Sequence, residues 1–246
     1  MIIKCTRCCD EKVVKNGKAP SGSQKYKCKT CNYAFVLKPK NAPISEEKKA
    51  LVDRLLKEKL SLAGIARAAK VGKTWLQDYV NKKYNNISKN IEYAQGCHGL
   101  ILECDELWSF CGKRSNKLWI WVALDRYTKA VIGLWIGDRS HESAQKLWDR
   151  LPKFCQDNAT MYTDFWESYK AIFPQKQLQQ CGKDQGQTNH VERFNNTLRQ
   201  RVSRLVRKTL SFSKKIINHL GAIWDFVHHY NSDIYRRISS LSQNAL

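Results

Sequence analysis

Apolar residues recur at helical spacing through residues 44–84. The acidic pair after Ser45 predicts one helix start, and Ser61 predicts the N-cap of a second helix. Gly72 predicts a turn before a third helix. The pattern therefore predicts three short helices, of which the last two form a helix-turn-helix.

From residue 99 onward, the pattern changes to short apolar runs rich in β-branched and aromatic residues, which is typical of strands. Strands are predicted at residues 100–110, 118–124, 130–136 and 159–162, with another near 176–178. Helices are predicted at residues 142–151, 166–173, 189–205 and 213–230. Three consecutive strands followed by alternating helices and strands predict an α/β domain with a mixed sheet.

The first 40 residues are rich in Cys, Lys and Gly and carry few apolar side chains. Their cysteines form two C-x2-C pairs separated by nineteen residues, namely Cys5, Cys8, Cys28 and Cys31. Two tight turns of this kind aim four thiolates at one ion, and a tetrahedral sulfur site favours zinc. Two pairs without a surrounding βαβ pattern disfavour a redox role. Cys9 is an additional candidate ligand beside Cys8, and its part is left open.

Proline-containing and polar stretches separate these regions and predict the domain boundaries. Residues 38–43 contain two prolines, and residues 86–98 are mostly polar. The expected order is a zinc-ribbon-like module, a helix-turn-helix module, a linker and a catalytic domain, at residues 1–40, 41–85, 86–98 and 99–246.

The formal charge of the 246-residue chain is +21, from 43 Lys and Arg against 22 Asp and Glu. An excess spread along the whole chain predicts a polyanionic partner, most simply nucleic acid. The last predicted helix of the helix-turn-helix has a polar, partly basic outer face, as a recognition helix needs. Plain helix packing is the alternative. The residues predicted to contact double-stranded DNA are Lys73, Thr74, Gln77, Lys82 and Lys83.

The chain contains no apolar run of membrane-spanning length and begins without the regions of a signal peptide. We therefore expect no membrane partner and a cytoplasmic, nucleoid-associated location of the prokaryotic type. In that compartment cysteines are metal ligands or buried thiols more often than disulfides.

Three acidic residues stand in settings where an unpaired charge is costly. Asp105 lies inside the first predicted strand, Asp164 follows the fourth, and Glu192 lies in the first long helix. Three carboxylates from separate elements can hold two divalent cations about 4 Å apart. Mg²⁺ prefers such oxygen ligands. Singly, each acid is more simply a surface residue or an ion-pair partner, but Glu192 is the only acid between residues 188 and 215.

Two neighbours of Asp105 are also acidic. Side chains alternate along a strand, so Glu106 is expected to point away from Asp105, whereas Glu103 shares its face two residues earlier. Glu103 lies roughly 7 Å from Asp105 by strand rise, and a two-metal site needs its ligands close to both ions. His190, two residues before Glu192, is left without an assigned role.

The chain resembles transposases of the insertion sequence 1 family over nearly its whole length. The matching segments are residues 5–31, 104–108, 163–164, 191–199 and 207–213. The resemblance implies a ribonuclease-H-like catalytic fold and a DDE triad of Asp105, Asp164 and Glu192. It also implies a basic, DNA-contacting residue seven positions after the glutamate, here Arg199.

These observations together predict a DNA transposase that uses Mg²⁺ or Mn²⁺ and carries a structural Zn²⁺. Its N-terminal part would bind the terminal inverted repeats, and its catalytic domain would cut the ends and join them to target DNA. Because two ends are joined, a homodimer or larger synaptic complex is expected. Two alternatives remain open here. One is a zinc-containing transcription regulator without catalysis, and the other is a structure-specific nuclease with the same triad.

Overall fold

The structure is a computed structural model that describes residues 3–37, 39, 43–93, 100–205 and 213–243. The chain divides into two compact units, residues 1–49 and residues 50–246. Residues 94–98 of the predicted linker and residues 207–212 of the last family-like segment lie outside the described residues.

The first unit contains a small antiparallel sheet. Its strands, in sheet order, are β1 (Val13–Lys18), β2 (Gln24–Cys28) and β3 (Ala34–Val36). The buried cluster of this unit consists of Cys5, Cys28 and Phe35. The apolar pattern did not predict these strands, because a sheet with so small a core has few apolar positions to alternate.

Three helices follow, close to the predicted positions: α1 (Glu46–Leu55), α2 (Leu62–Ala68) and α3 (Lys73–Asn85). Ser61 caps α2, and its hydroxyl oxygen accepts a hydrogen bond from the backbone N–H of Gly64 at 3.1 Å. The turn between α2 and α3 contains Lys70 in the left-handed conformation, with φ of 51°.

Helix α3 packs against the last helix of the chain, α8 (Ile216–Gln243). Gly221 permits this approach, because a Cβ atom there would lie 2.3 Å from the Cβ atom of Tyr84. Val80 of α3 and Ile223 of α8 belong to one buried core. Helices α2 and α3 thus belong to the same compact unit as the rest of residues 50–246, whereas the sequence pattern predicted a separate module at residues 41–85.

A five-stranded mixed sheet forms the centre of the second unit. The strands are β4 (Ile101–Phe110), β5 (Lys117–Asp125), β6 (Val131–Gly137), β7 (Thr160–Thr163) and β8 (Leu178–Gln180). The sheet order is β6-β5-β4-β7-β8, with the first three strands antiparallel and the pairs β4-β7 and β7-β8 parallel. The predicted α/β class with a mixed sheet is confirmed.

Alternate residues of the central strands face two different cores. Trp121 of β5 belongs to a core shared with three helices, α4 (His141–Trp148), α5 (Lys153–Asn158) and α6 (Glu167–Ile172). Val122 belongs to the other core, shared with α8 and with α7 (Asn189–Arg201). Helices therefore cover both faces of the sheet.

The largest departures from the predicted helices are at α5, α7 and α8. Helix α7 ends at Arg201 because Val202 is extended, with ψ of 106°, and a 3-10 turn follows at Ser203–Leu205. Helix α5 was not predicted, since Pro152 was interpreted as the end of helical structure. Helix α8 runs to Gln243 rather than to residue 230, and the residues from 236 to 241 in its last turns are exposed.

Because His219 is buried in the second unit, we expect acid to destabilise that unit. His219 is fully buried beside Ser109 (Nε2 to Oγ 3.0 Å), and burial, followed by the charge of Arg204, lowers its pKa to about 4 from 6.5. Between these values the unfolded chain binds more protons than the folded chain, so stability falls as the pH drops. We expect His219→Gln to remove on the order of 3 kcal/mol of this pH dependence. Denaturant unfolding at pH 7 and pH 4.5 measures it, and identical pH profiles for variant and wild type would contradict the assignment.

Candidate functional site

The two C-x2-C pairs come together in the first unit. The sulfur atoms of Cys5, Cys8, Cys28 and Cys31 all lie within 4.8 Å of one another. Hydrogen bonding by the backbone of Cys31, against the effect of burial, lowers the pKa of Cys28 to about 6. This shift favours the thiolate that a metal site requires. Cys9 is exposed with a φ of 60° and is not part of the sulfur cluster.

The predicted catalytic acids border one cavity of about 300 Å³ in the second unit. Asp105 lies on β4 and Asp164 directly follows the parallel strand β7, so both reach the same region beyond the end of β7. Carboxylate oxygens of Asp105, Asp164 and Glu106 lie within 4.8 Å of one another. Glu192 lines the same cavity from α7, and its Oε1 atom accepts a hydrogen bond from the Thr188 hydroxyl at 3.3 Å.

The electrostatic environment of Asp105 is unfavourable for its charge. Burial, and then the negative charge of Glu106, raise the pKa of Asp105 to about 7, although hydrogen bonds oppose the shift. One of these comes from Asn195, whose Nδ2 donates to the carboxylate at 2.8 Å. Like charges held this closely in a buried site are stabilised by a bound cation.

The carboxylate of Glu106 lies closer to that of Asp105 than the alternation of side chains along a strand suggests. The pairing register is regular at this point, and Glu106 does face the opposite side of the sheet, where it accepts a hydrogen bond from the Tyr169 hydroxyl at 3.0 Å. Yet its carboxylate reaches the oxygens of Asp105. Strand β7 pairs with β4 only as far as Glu103, so farther along β4 side chains from both faces border the same cavity.

Arg139, which the sequence pattern did not reveal, compensates the charge of Glu106. Its Nε donates to Glu106 at 2.7 Å, and a second guanidinium nitrogen contacts the same oxygen. The guanidinium also lies over the rings of Trp119 and Trp166, at 4.5 Å and 3.7 Å from the ring centroids. Trp166 is thus half-buried against Arg139 and the core, in line with a packing role.

Glu103 has a role that strand alternation alone could not indicate. Its buried carboxylate bonds the side chains of Arg126 and His190 and the backbone at the start of α7. Burial by itself raises the pKa of Glu103, but the hydrogen bonds from His190, Val191 and Arg126 outweigh it and lower the pKa below its usual value. Glu103 is therefore a charged anchor and not one of the acids around the cavity.

Arg199 lies farther along α7, and one of its amino groups donates to the carbonyl oxygen of Trp108 on β4 at 3.1 Å. It is not among the residues that line the acid-bordered cavity. The structure thus gives Arg199 a contact that the family resemblance did not imply, and its contact with DNA stays a prediction.

The predicted DNA-contacting residues of α3 fall into two groups. Lys73, Thr74, Gln77 and Lys82 are exposed. Lys83 instead pairs with two acids, lying 2.8 Å from Asp53 and 3.1 Å from Asp225. Because these ion pairs tie Lys83 to the packing of α3 on α8, the structure does not place it on the outer face that the sequence pattern predicted.

Comparison with known proteins agrees with a cysteine-rich N-terminal module followed by a domain with a cluster of acidic residues. A family profile described as IS1 transposase, of the DDE type, matches residues 99–232. A zinc-ribbon profile described as the InsA N-terminal domain matches residues 1–32. The chain belongs to the IS1 transposase family, which confirms the resemblance.

Three relatives illustrate the similarity. The insertion element iso-IS1n protein InsB of Shigella dysenteriae is 37% identical over 132 residues, which are 53% of this chain and 96% of the relative. The insertion element IS1 4 protein InsB of Escherichia coli (strain K12) is 35% identical over 130 residues, 52% of this chain and 75% of the relative. The insertion element IS1 protein InsB of Shigella flexneri is 33% identical over 130 residues, which are 52% of this chain and 95% of the relative.

Membership of this family makes the chain a transposase, which is a nuclease-type enzyme. The zinc ribbon and the DDE domain imply DNA binding and a divalent metal. Among the helices in the described part of the chain, none is both long and apolar enough to cross a membrane.

Proposed function

We propose that the cavity bordered by β4, β7 and α7 is where this transposase cuts DNA at the element ends and joins them to target DNA. The observation that carries the proposal is that Asp105 and Asp164 meet beyond neighbouring parallel strands while Glu192 lines the same cavity from α7. We also infer a ribonuclease-H-like fold for residues 99–246. The mixed sheet with three antiparallel strands beside two parallel ones supports it.

The side chains around the cavity fit two hard divalent cations, Mg²⁺ or Mn²⁺. Asp105, Asp164 and Glu192 offer only oxygen ligands, which such cations prefer. Asn195 also lines this cavity, and its Nδ2 atom donates a hydrogen bond to the carboxylate of Asp105.

The proposed ligands differ from the neighbouring acids in whether an arginine side chain neutralises their charge. Glu103 and Glu106 each bind an arginine, Arg126 and Arg139 respectively. Within the described ranges, by contrast, no ion pair with a cationic side chain involves the three proposed ligands, Asp105, Asp164 and Glu192. A buried or partly buried carboxylate without a cationic partner fits a metal ligand better than a structural ion pair.

Both chemical steps are phosphoryl transfers, in which positioning and charge stabilisation dominate. In cleavage, water attacks the phosphorus at the element end, and the 3′ oxygen leaves as a hydroxyl group. In joining, this hydroxyl attacks a phosphodiester of target DNA, and a target 3′ hydroxyl is released. The bound cations would activate the attacking oxygen and stabilise the leaving one. Asn195 orients Asp105, and Arg139 places positive charge at the cavity.

We propose that DNA recognition uses the zinc module together with the exposed face of α3, where Lys73, Thr74, Gln77 and Lys82 lie. Lysine side chains on such a face neutralise phosphates and release counterions, which makes binding salt-dependent. The element ends and the target are both double-stranded DNA in this proposal. Because two ends are joined, it includes a homodimer or larger synaptic complex on DNA.

Replacing two lysines of α3 tests the recognition surface. In the Lys73→Ala/Lys82→Ala double variant, we expect weaker binding to the element ends and a salt dependence reduced by about two units of log–log slope. Fluorescence anisotropy with an end duplex at several salt concentrations measures both quantities. Lys153→Ala, an exposed lysine on α5, is the matched control. An unchanged slope in the double variant would remove α3 from the proposed interface.

A further inference from the structure

Helix α7, which carries Glu192, begins without a cap from its own sequence. The N-cap residue Thr188 makes no side-chain hydrogen bond to the helix backbone. The first N–H groups of a helix lack partners within the helix and need acceptors from elsewhere. Here a residue of the sheet supplies one, because Oε2 of Glu103 accepts from the backbone N–H groups of His190 at 2.9 Å and Val191 at 3.1 Å.

The second oxygen of Glu103 is also fully engaged. Its Oε1 lies 2.7 Å from Nδ1 of His190 and accepts from Nε of Arg126 at 2.8 Å. Arg126 continues the network to the segment before α7, where it donates to Oε1 of Gln187 at 3.0 Å and to the Gln187 carbonyl oxygen. With 1% of its side chain exposed, Glu103 is a buried charge whose cost is offset only while these contacts persist.

These contacts bracket the proposed third ligand. Glu103 and Asp105 lie on the same face of β4, two residues apart. Glu103 holds α7 at residues 190–191, and Asp105 accepts from Asn195 farther along the helix. Glu192 lies between the two attachments. The strand that carries one proposed metal ligand therefore fixes, on both sides, the helix that carries another.

We propose that Glu103 is a positioning residue of the metal site, which acts by capping α7 so that Glu192 faces Asp105 and Asp164. The proposal rests on the function proposed above. The carboxylate is required because all four of its recorded partners present hydrogens to it. A glutamine would place an NH₂ group against some of them and leave buried donors without an acceptor.

The alternative is that Glu103 only stabilises the fold, and metal binding distinguishes the two. We expect Glu103→Gln to weaken Mn²⁺ binding to the zinc-loaded full chain by about 10- to 100-fold, as loss of a residue that orients metal ligands does. In a Glu192→Gln background the same substitution should cause no further loss, because Glu103 acts through Glu192. Calorimetric titration with Mn²⁺ measures the Mn²⁺ affinity of the wild type, of the Glu103→Gln and Glu192→Gln variants and of the double variant.

Asp225→Asn is the matched control, because Asp225 is also a buried acid held by two cationic side chains but does not border the cavity. It should leave Mn²⁺ affinity unchanged. If Glu103→Gln does not fold, His190→Gln removes one of the four contacts and should give a smaller loss with the same dependence on Glu192. A folded Glu103→Gln with wild-type Mn²⁺ affinity, or an equal further loss without Glu192, would overturn the proposal.

The metal site itself is tested separately by Asp105→Asn. Wild-type Mn²⁺ affinity in that variant would contradict the proposed function, whatever Glu103 does. Loss of Mn²⁺ binding in Asp105→Asn together with full binding in Glu103→Gln would reject only the positioning role.

Discussion

We expect Asp105→Asn to abolish Mg²⁺-dependent cleavage of element ends while DNA binding survives. Bound divalent cations would stabilise the charge that develops in the transition state by several kcal/mol, and each 1.36 kcal/mol corresponds to a tenfold change in rate. We therefore expect a loss of at least about 10³-fold, and the same for Asp164→Asn and Glu192→Gln. Cleavage of a labelled end duplex measures the rate, and anisotropy on the same duplex measures binding.

The folded state of the Asp105 variant should be intact, which separates catalysis from stability. Burial and neighbouring acids raise the pKa of Asp105 from 3.8 to about 7, so folding becomes less favourable as the pH rises between these values, and the full cost of the charge is present above pH 7. Asn removes the charge and can still accept the hydrogen bond from Asn195. Thermal unfolding of the zinc-loaded chain at pH 8, without added Mg²⁺ or Mn²⁺, should thus give an equal or higher Tm than the wild type. Asp157→Asn, an exposed acid on α5, should cleave normally, and a folded Asp105→Asn that still cleaves would falsify the ligand assignment.

Loss of zinc should unfold the first unit. The buried cluster there comprises two of the four clustered cysteines and Phe35, which is too small a core to sustain a fold unaided. Metal binding then supplies the folding free energy. We expect Cys28→Ser, or strong chelation of the wild type, to abolish the native fold of residues 1–49. Limited proteolysis should show rapid cleavage in this region while residues 50–246 resist.

Cys9→Ser is the control for the zinc prediction, because Cys9 lies outside the sulfur cluster. Metal analysis of the full chain should find one zinc per chain in the wild type and in Cys9→Ser, and less in Cys28→Ser. A first unit that resists protease equally well after complete zinc removal would show that the metal is not structural.

Local patterns in the sequence were enough to predict the fold class and to single out three acids as candidates, which the family resemblance then implied as a triad. A charge inside an apolar run, as at Asp105, or directly after one, as at Asp164, is conspicuous because strands are short and turn residues mark their ends. Glu192 could be placed because the apolar stripe of α7 defines the helix around it. The cysteine spacing likewise depends only on neighbouring residues.

Contacts between distant segments could not be predicted in the same way. Capping of α7 by Glu103, compensation of Glu106 by Arg139 and pairing of Lys83 with Asp225 each join residues far apart in the chain. Glu106 shows the limit most clearly. Alternation along the strand correctly assigns its face, but where β7 ends is a property of the sheet, and this decides that both faces border one cavity.

Strand transfer is the most direct test of the central claim. The zinc-loaded full chain would be incubated with a labelled duplex carrying the inverted repeat that flanks its coding sequence, and with a supercoiled plasmid as target. We expect cleavage at the repeat end followed by a covalently joined product, both only when Mg²⁺ or Mn²⁺ is present. Cleavage without any joined product would identify a nuclease instead, and joining that persists in EDTA would contradict the metal-dependent mechanism.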